Sequence, residues 1–173
     1  SGGVCSKAFY IPLNNFSLNI LNKIDNLLVK ISPKIFAMAK PDALWFDMEH
    51  ASSTYEQTEH QIRAAKIYDV DSIVRVSRGG YSDYIRPLEI DATGLIVPQI
   101  QGLSDAIKVR DMTKFAPIGN RGLDGGNNDA KYTKLDMLDY ITTANKERFV
   151  IYQIENTKVL ENIEEIAELD GID

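Results

Sequence analysis

Four short apolar runs in this chain each end in a group able to do chemistry. Ala43-Leu44-Trp45-Phe46 leads into Asp47-Met48-Glu49-His50, and Ser72-Ile73-Val74 leads into Arg75. Leu95-Ile96-Val97 leads into Pro98-Gln99, and Phe149-Val150-Ile151-Tyr152 leads into Gln153-Ile154-Glu155. A carboxylate beside an imidazole can work as an acid/base pair. Asp47 and His50 are close enough in a tight turn for the carboxylate to fix the imidazole tautomer and raise its basicity. The alternative is a turn-exposed His50 beside helix-capping acids. Arg75 ends a run that reads as buried, and a buried guanidinium requires an anion. That anion is either a ligand or an ion-pair partner such as Asp47 or Glu155. Glu155 can hold a hard divalent ion through oxygen, or it can cap the helix that follows. Gln153 lies two residues earlier and shares the side of the strand that Glu155 occupies.

Such groups do chemistry together only if the fold brings them to one place. Continuous apolar runs are the mark of parallel strands buried on both faces. In α/β folds the carboxyl ends of parallel strands meet at one face, where sites are built. His50, Arg75, Gln153 and Glu155 are therefore expected to converge. Between the runs the pattern is helical. A first strand over Leu27–Ile31 precedes a helix over Lys34–Lys40. Ser52, Ser53 or Thr54 caps a helix reaching about Tyr68, with Ile62, Ala65 and Ile67 as its buried stripe. A short helix surrounds Tyr84–Ile90, and Ser104 caps another that runs to about Met112. A last helix starts near Asn156 or Thr157, with Val159, Leu160, Ile163, Ile166 and Ala167 recurring at helical spacing. Between Ala116 and Tyr140 lies a long glycine-rich connection in which Arg121 stands between Gly119 and Gly122. Such a loop can offer amides and a cation to an anion, or it can be an ordinary connection. His60, mid-helix, reads as a solvated side chain, and Tyr55, Tyr81 and Tyr84 read as packing or rim residues. Alternating strands and helices imply an α/β fold with a parallel sheet, here about five to six βα units. A closed eight-stranded barrel takes ~250 residues, so the 173 residues suit an open sheet or an N-terminal partial barrel.

Composition narrows the class. With 44% hydrophobic and 25% charged residues, the chain reads as a globular domain. The formal net charge is −6 and basic residues are scattered, which argues against a nucleic-acid partner. A single cysteine, Cys5, excludes an internal disulfide framework. No apolar run approaches the ~20 residues that cross a bilayer, so neither membrane nor signal segment is expected and a cytoplasmic setting is the default. Residues 1–30 form an N-terminal segment of unassigned structure, with Ser1-Gly2-Gly3 read as a tag remnant. Residues 31–173 form the domain.

Taken in order, the motifs resemble the HpcH/HpaI family of class II, pyruvate-specific aldolases, related to the citrate lyase β subunit. The matching stretches are Phe46-Asp47-Met48-Glu49-His50, Val74-Arg75-Val76, Gly94-Leu95-Ile96-Val97-Pro98, Pro117-Ile118-Gly119-Asn120-Arg121-Gly122, Tyr140 with Asn145, and Tyr152-Gln153-Ile154-Glu155. Gly171-Ile172-Asp173 resembles the start of the family's next strand. The resemblance implies a TIM barrel, homo-oligomeric assembly, and a divalent ion (magnesium, manganese or cobalt). The implied reaction cleaves 4-hydroxy-2-oxo acids into pyruvate and an aldehyde. Carried over, Glu155 is a metal ligand and Gln153 lines the pyruvate pocket. Arg75 stabilises the enolate, and His50, oriented by Asp47, is the acid/base. The loop from Gly119 to Gly122 lies near the substrate entrance. The family's second metal carboxylate belongs to a Gly-Pro-x-Asp-Leu-type motif that has no counterpart up to Asp173. Two alternatives stand beside this expectation. One is a truncated or degenerate barrel that serves as scaffold or subunit without catalysis. The other is an enzyme acting on a phosphorylated sugar through Arg121 and its loop.

Overall fold

The computed structural model describes residues 32–173. The expected first strand at 27–31 lies outside the described residues. The chain opens on helix α1 (Ser32–Met38) and continues through strand β1 (Ala43–Asp47), α2 (Tyr55–Lys66), β2 (Asp71–Arg75), α3 (Tyr81–Glu89) and β3 (Gly94–Val97). Next come α4 (Leu103–Thr113), α5 (Met137–Glu147), β4 (Phe149–Tyr152), a 3-10 turn (Thr157–Asn162) and α6 (Ile163–Ala167). The four strands form one parallel sheet in sequence order, β1-β2-β3-β4. After α6, the Asp173 N–H donates to the Val150 carbonyl at 3.0 Å, beside β4.

The two faces of the sheet are covered unequally. Leu44, Val74, Leu95, Val97 and Val150 lie on one face and are buried, together with Ile62, Leu88, Val109, Val159 and Ile166 from the helices and the 3-10 turn. The alternate residues Ile73, Ile96, Phe149 and Ile151 are only half-buried, and Trp45 is 40% exposed. This is the period-two alternation of a strand. The described helices therefore pack against a single face.

Local chemistry explains most element boundaries. Thr54 caps α2 through a capping box: its hydroxyl accepts from the Gln57 N–H, and the Gln57 side chain accepts from the Thr54 N–H. α3 begins after Gly80 and carries Pro87 within it. α4 starts at Leu103 after Gly102, whose φ is +146°, so Ser104 lies inside the helix and is not its cap. The expected last helix is divided. Asn156 caps the 3-10 turn, α-helix resumes only at Ile163, and Leu160 points outward at 58% exposure. α5, unforeseen in the glycine-rich connection, is capped by Asp136, which accepts from the Leu138 and Asp139 N–H groups. Asn145 on α5 pins this excursion to the end of α4. Its side-chain oxygen accepts from the Phe115 N–H at 2.7 Å, and its amide donates to the Phe115 carbonyl at 3.0 Å.

Candidate active site

Arg75 is the last residue of β2 and pairs in register with Asp47, the last residue of β1. Both side chains therefore leave the sheet side by side. Arg75 Nε donates to Asp47 Oδ1 at 2.9 Å and Nη2 to Oδ2 at 2.5 Å, a bidentate pair. Nη1 faces Glu49 Oε2 at 3.3 Å. The guanidinium also lies 5.4 Å from the centre of the Trp45 ring, which projects from the same face of β1. Burial raises the Asp47 carboxyl, but the hydrogen bonds from Arg75 and from the Glu49 and His50 N–H groups outweigh it. The carboxyl is held below the usual aspartate range. Asp47 in turn raises Arg75, with smaller contributions from Glu49 and Glu155.

The imidazole of His50 is placed differently from the expectation. Asp47 accepts the backbone N–H of His50 at 3.4 Å rather than a ring N–H. Glu49 is the carboxylate beside the ring, with Oε2 3.6 Å from Nε2. Asp47 already accepts from Arg75 twice and from two turn amides. The ring itself is open to solvent, at 70% exposure.

Gln153 and Glu155 follow β4. The Gln153 N–H continues the ladder to the Val97 carbonyl at 2.9 Å, and its Nε2 donates to Glu155 Oε1 at 3.0 Å. This donation fixes the amide orientation and leaves the buried Oε1 of Gln153 without a partner. A carboxylate next to an unpartnered amide oxygen is an all-oxygen donor set, as a hard divalent ion requires. No group of three or more His, Cys, Asp or Glu close enough to bind a metal exists among the described residues. A cation at Glu155 would take its remaining coordination positions from water or substrate oxygen, the usual habit of magnesium sites.

The link between these halves is Gln99, to which sequence reading gave no role. Its N–H donates to Glu155 Oε2 at 2.9 Å, and its side-chain Nε2 donates to Glu49 Oε1 at 3.1 Å. Glu49 was likewise passed over. The available signal for both was position, since each lies just past the carboxyl end of a strand in the alternating pattern.

Arg121 stands apart from the site. Its guanidinium is 2% exposed, donates to Asp129 and Tyr140 at 3.2 and 3.3 Å, and lies over the Phe115 ring at 4.4 Å. Asp129 is held from its other side by Arg148. The cation expected at the loop surface is consumed in this internal network. That removes the basis for a phosphate site at Arg121. Its neighbour Gly122 donates to the Tyr81 hydroxyl at 2.6 Å, tying the loop to the start of α3.

The family model of HpcH/HpaI aldolase/citrate lyase matches residues 30–173. The chain belongs to the HpcH/HpaI family. Over 141 residues it is 33% identical to a 2-keto-3-deoxy-L-rhamnonate aldolase of Klebsiella pneumoniae, covering 81% of this chain and 52% of that protein. A 2-keto-3-deoxy-L-rhamnonate aldolase of Salmonella gallinarum is 30% identical over the same shares. Among solved structures, an HpcH/HpaI aldolase from Desulfitobacterium hafniense superposes with a TM-score of 0.76 at 27% identity, over 86% of this chain and 57% of that one. The citrate synthase SbnG superposes at 0.73 with 28% identity, over 83% and 54%. The chain spans about half the length of the curated relatives it matches. The sheet described above is thus a partial barrel of the kind found in HpcH/HpaI aldolases.

Proposed function

We propose that this member of the HpcH/HpaI family contributes the Arg75–Glu155 part of the catalytic site of a divalent-metal-dependent aldolase. The reaction cleaves a 4-hydroxy-2-oxo acid into pyruvate and an aldehyde. One observation carries the reading: a guanidinium set among Asp47, Glu49 and Glu155, at the carboxyl end of a parallel sheet and beside an oxygen donor pair. A cytoplasmic homo-oligomer goes with this reading.

In the cleavage, a base removes the C4 hydroxyl proton, the C3–C4 bond breaks, and its electron pair passes to the pyruvate fragment as an enolate. The aldehyde departs, and a proton returned to C3 gives pyruvate. Arg75 suits the enolate oxygen. Two of its five N–H groups donate to Asp47 and a third faces Glu49, which leaves two for a ligand. Asp47 does not move protons in this scheme; it fixes the guanidinium and the turn. His50 is solvent-facing with a carboxylate at its side, and it takes the hydroxyl proton. Gln153 binds the 2-oxo acid beside Glu155. Glu155, with Gln153 Oε1, would hold magnesium, manganese or cobalt, and the ion would supply Lewis-acid polarisation of the oxo group.

The test is deuterium exchange into the pyruvate methyl group, followed by proton NMR with manganese, cobalt or magnesium. Chelator-sensitive exchange is expected, and it should vanish in Arg75→Ala and in Glu155→Ala. Exchange retained in both variants would remove the assignment. The scaffold alternative is favoured by a single observation, that Glu155 belongs to no group of three or more His, Cys, Asp or Glu able to hold a metal among the described residues. A folded chain that binds neither metal nor pyruvate would decide for it.

A further inference from the structure

We propose that Gln99 is a positioning residue that couples the Glu49 carboxylate to the Glu155 carboxylate. The proposal deepens, and rests on, the aldolase reading above. Gln99 follows Pro98, which has no N–H to continue the ladder beyond Val97. Its own backbone then turns left-handed, with φ at +54°. For a residue with a side chain this conformation is strained. The turn aims the freed N–H at Glu155 Oε2 (2.9 Å) and sends the side-chain amide across to Glu49 Oε1 (3.1 Å). One residue just past β3 therefore touches a carboxylate from the β1 side and a carboxylate from the β4 side.

The turn is braced from behind. The Gln99 carbonyl accepts from Gln101 Nε2 at 2.7 Å, and the Gln101 N–H donates to Asp105 Oδ2 at 2.9 Å. Asp105 is itself gripped by Arg78, whose Nη2 lies 2.7 and 2.8 Å from the two carboxylate oxygens. Gln99 is exposed, so its side chain contributes little to the core. Its polar contacts concentrate on the site. Glu49 carries the coupling onward, to Arg75 at 3.3 Å and His50 at 3.6 Å. A shift of the acid/base half is thereby felt at the oxygen donor pair.

The first measurement is metal-free NMR of the 15N-labelled chain. Glu155→Gln is expected to move the Gln99 backbone amide resonance, and Glu49→Gln its side-chain amide pair. Resonances that ignore both substitutions overturn the proposal whatever the activity. The second measurement uses Gln99→Gly, which accepts the left-handed backbone and keeps the N–H donor but lacks the amide. Manganese affinity by electron paramagnetic resonance should stay within about twofold, while kcat for pyruvate methyl exchange falls about tenfold at unchanged KM, as outer partners of a site typically do. Gln99→Asn, which tolerates the same backbone and retains an amide, should recover part of that loss. An unchanged kcat in Gln99→Gly, or manganese affinity and melting temperature falling together with kcat, would overturn the positioning role. A wild-type chain that shows the amide shifts but neither binds manganese nor exchanges pyruvate would preserve the coupling and remove the aldolase reading.

Discussion

Asp47 and Arg75 are each other's main partner, yet deleting one should hurt more than deleting the other. In Arg75→Met, Asp47 keeps the N–H groups of Glu49 at 2.9 Å and His50 at 3.4 Å, and Glu49 keeps the Gln99 amide at 3.1 Å. No carboxylate is stranded. In Asp47→Ala, Arg75 loses its bidentate partner and retains Glu49 at 3.3 Å, the Trp45 face and the weaker influence of Glu155, and two turn amides lose their acceptor. The two side chains are 16% and 26% exposed, which places the pair between the exposed limit of ~0–1 kcal/mol and the buried limit of ~3–5 kcal/mol. On that scale Asp47→Ala should cost about 3 kcal/mol and Arg75→Met about 1.5 kcal/mol. With a urea slope of ~2 kcal/mol/M, the midpoints fall by roughly 1.5 and 0.8 M. Trp45, the chain's single tryptophan, stacks on Arg75 and provides the fluorescence signal. Equal midpoints, or a larger loss in Arg75→Met, would refute the reasoning.

The same pair makes stability depend on acid. Because the folded carboxyl of Asp47 titrates below its ordinary 3.8, its contribution is complete above that pH and is lost as pH falls through the folded value. Acid titrations of wild type and Asp47→Asn should converge at the low end and separate above it. Asp129 is 2% exposed and is shared by Arg121, Tyr140 and Arg148, so Asp129→Ala removes the carboxylate acceptor of all three, leaving Arg148 with Asp91 and Arg121 with the Tyr140 hydroxyl. A loss of about 4 kcal/mol and a melting point lower by roughly 10 °C are expected in calorimetry. At Gly94 an added Cβ would sit 2.6 Å from the Phe149 Cβ and 3.1 Å from its carbonyl oxygen. Gly94→Ala should therefore cost about 1–3 kcal/mol in the same urea assay, and an unchanged midpoint would mean that β4 can shift freely.

The strands were legible because each is a dense apolar run, and the structure keeps all four within a residue or so of expectation. α2 was legible through Thr54 and Ile62. α5 was not, because its apolar residues are divided: Met137 and Leu138 are exposed, while Tyr140 and Ala144 are buried in a small separate cluster with Phe115 and Ala130. Leu160 misled for the same reason in reverse, being apolar at a helical spacing yet exposed where the chain winds as 3-10. The strand ends offered Asp47 and Glu155 as ion-pair partners of Arg75, and the structure pairs it directly with Asp47. The partner of His50 did not, since which of two neighbouring carboxylates meets the ring depends on what else each accepts. Gln99 was seen at a strand end but given no role, because its reach comes from a left-handed backbone that no glycine announces.

The sequence-ordered sheet has a consequence for how the site is assembled in time. Joining Gly94 to Phe149 closes a chain segment about twice as long as joining Ala43 to Asp71, an added closure penalty of ~0.6 kcal/mol. The Asp47–Arg75 half should therefore gain protection first in pulse-labelled hydrogen exchange, with β4 and Glu155 arriving later onto a template already set by β3. Simultaneous protection of both halves would count against this order. Built this way, the guanidinium is in place before the carboxylate at Glu155 comes to meet it.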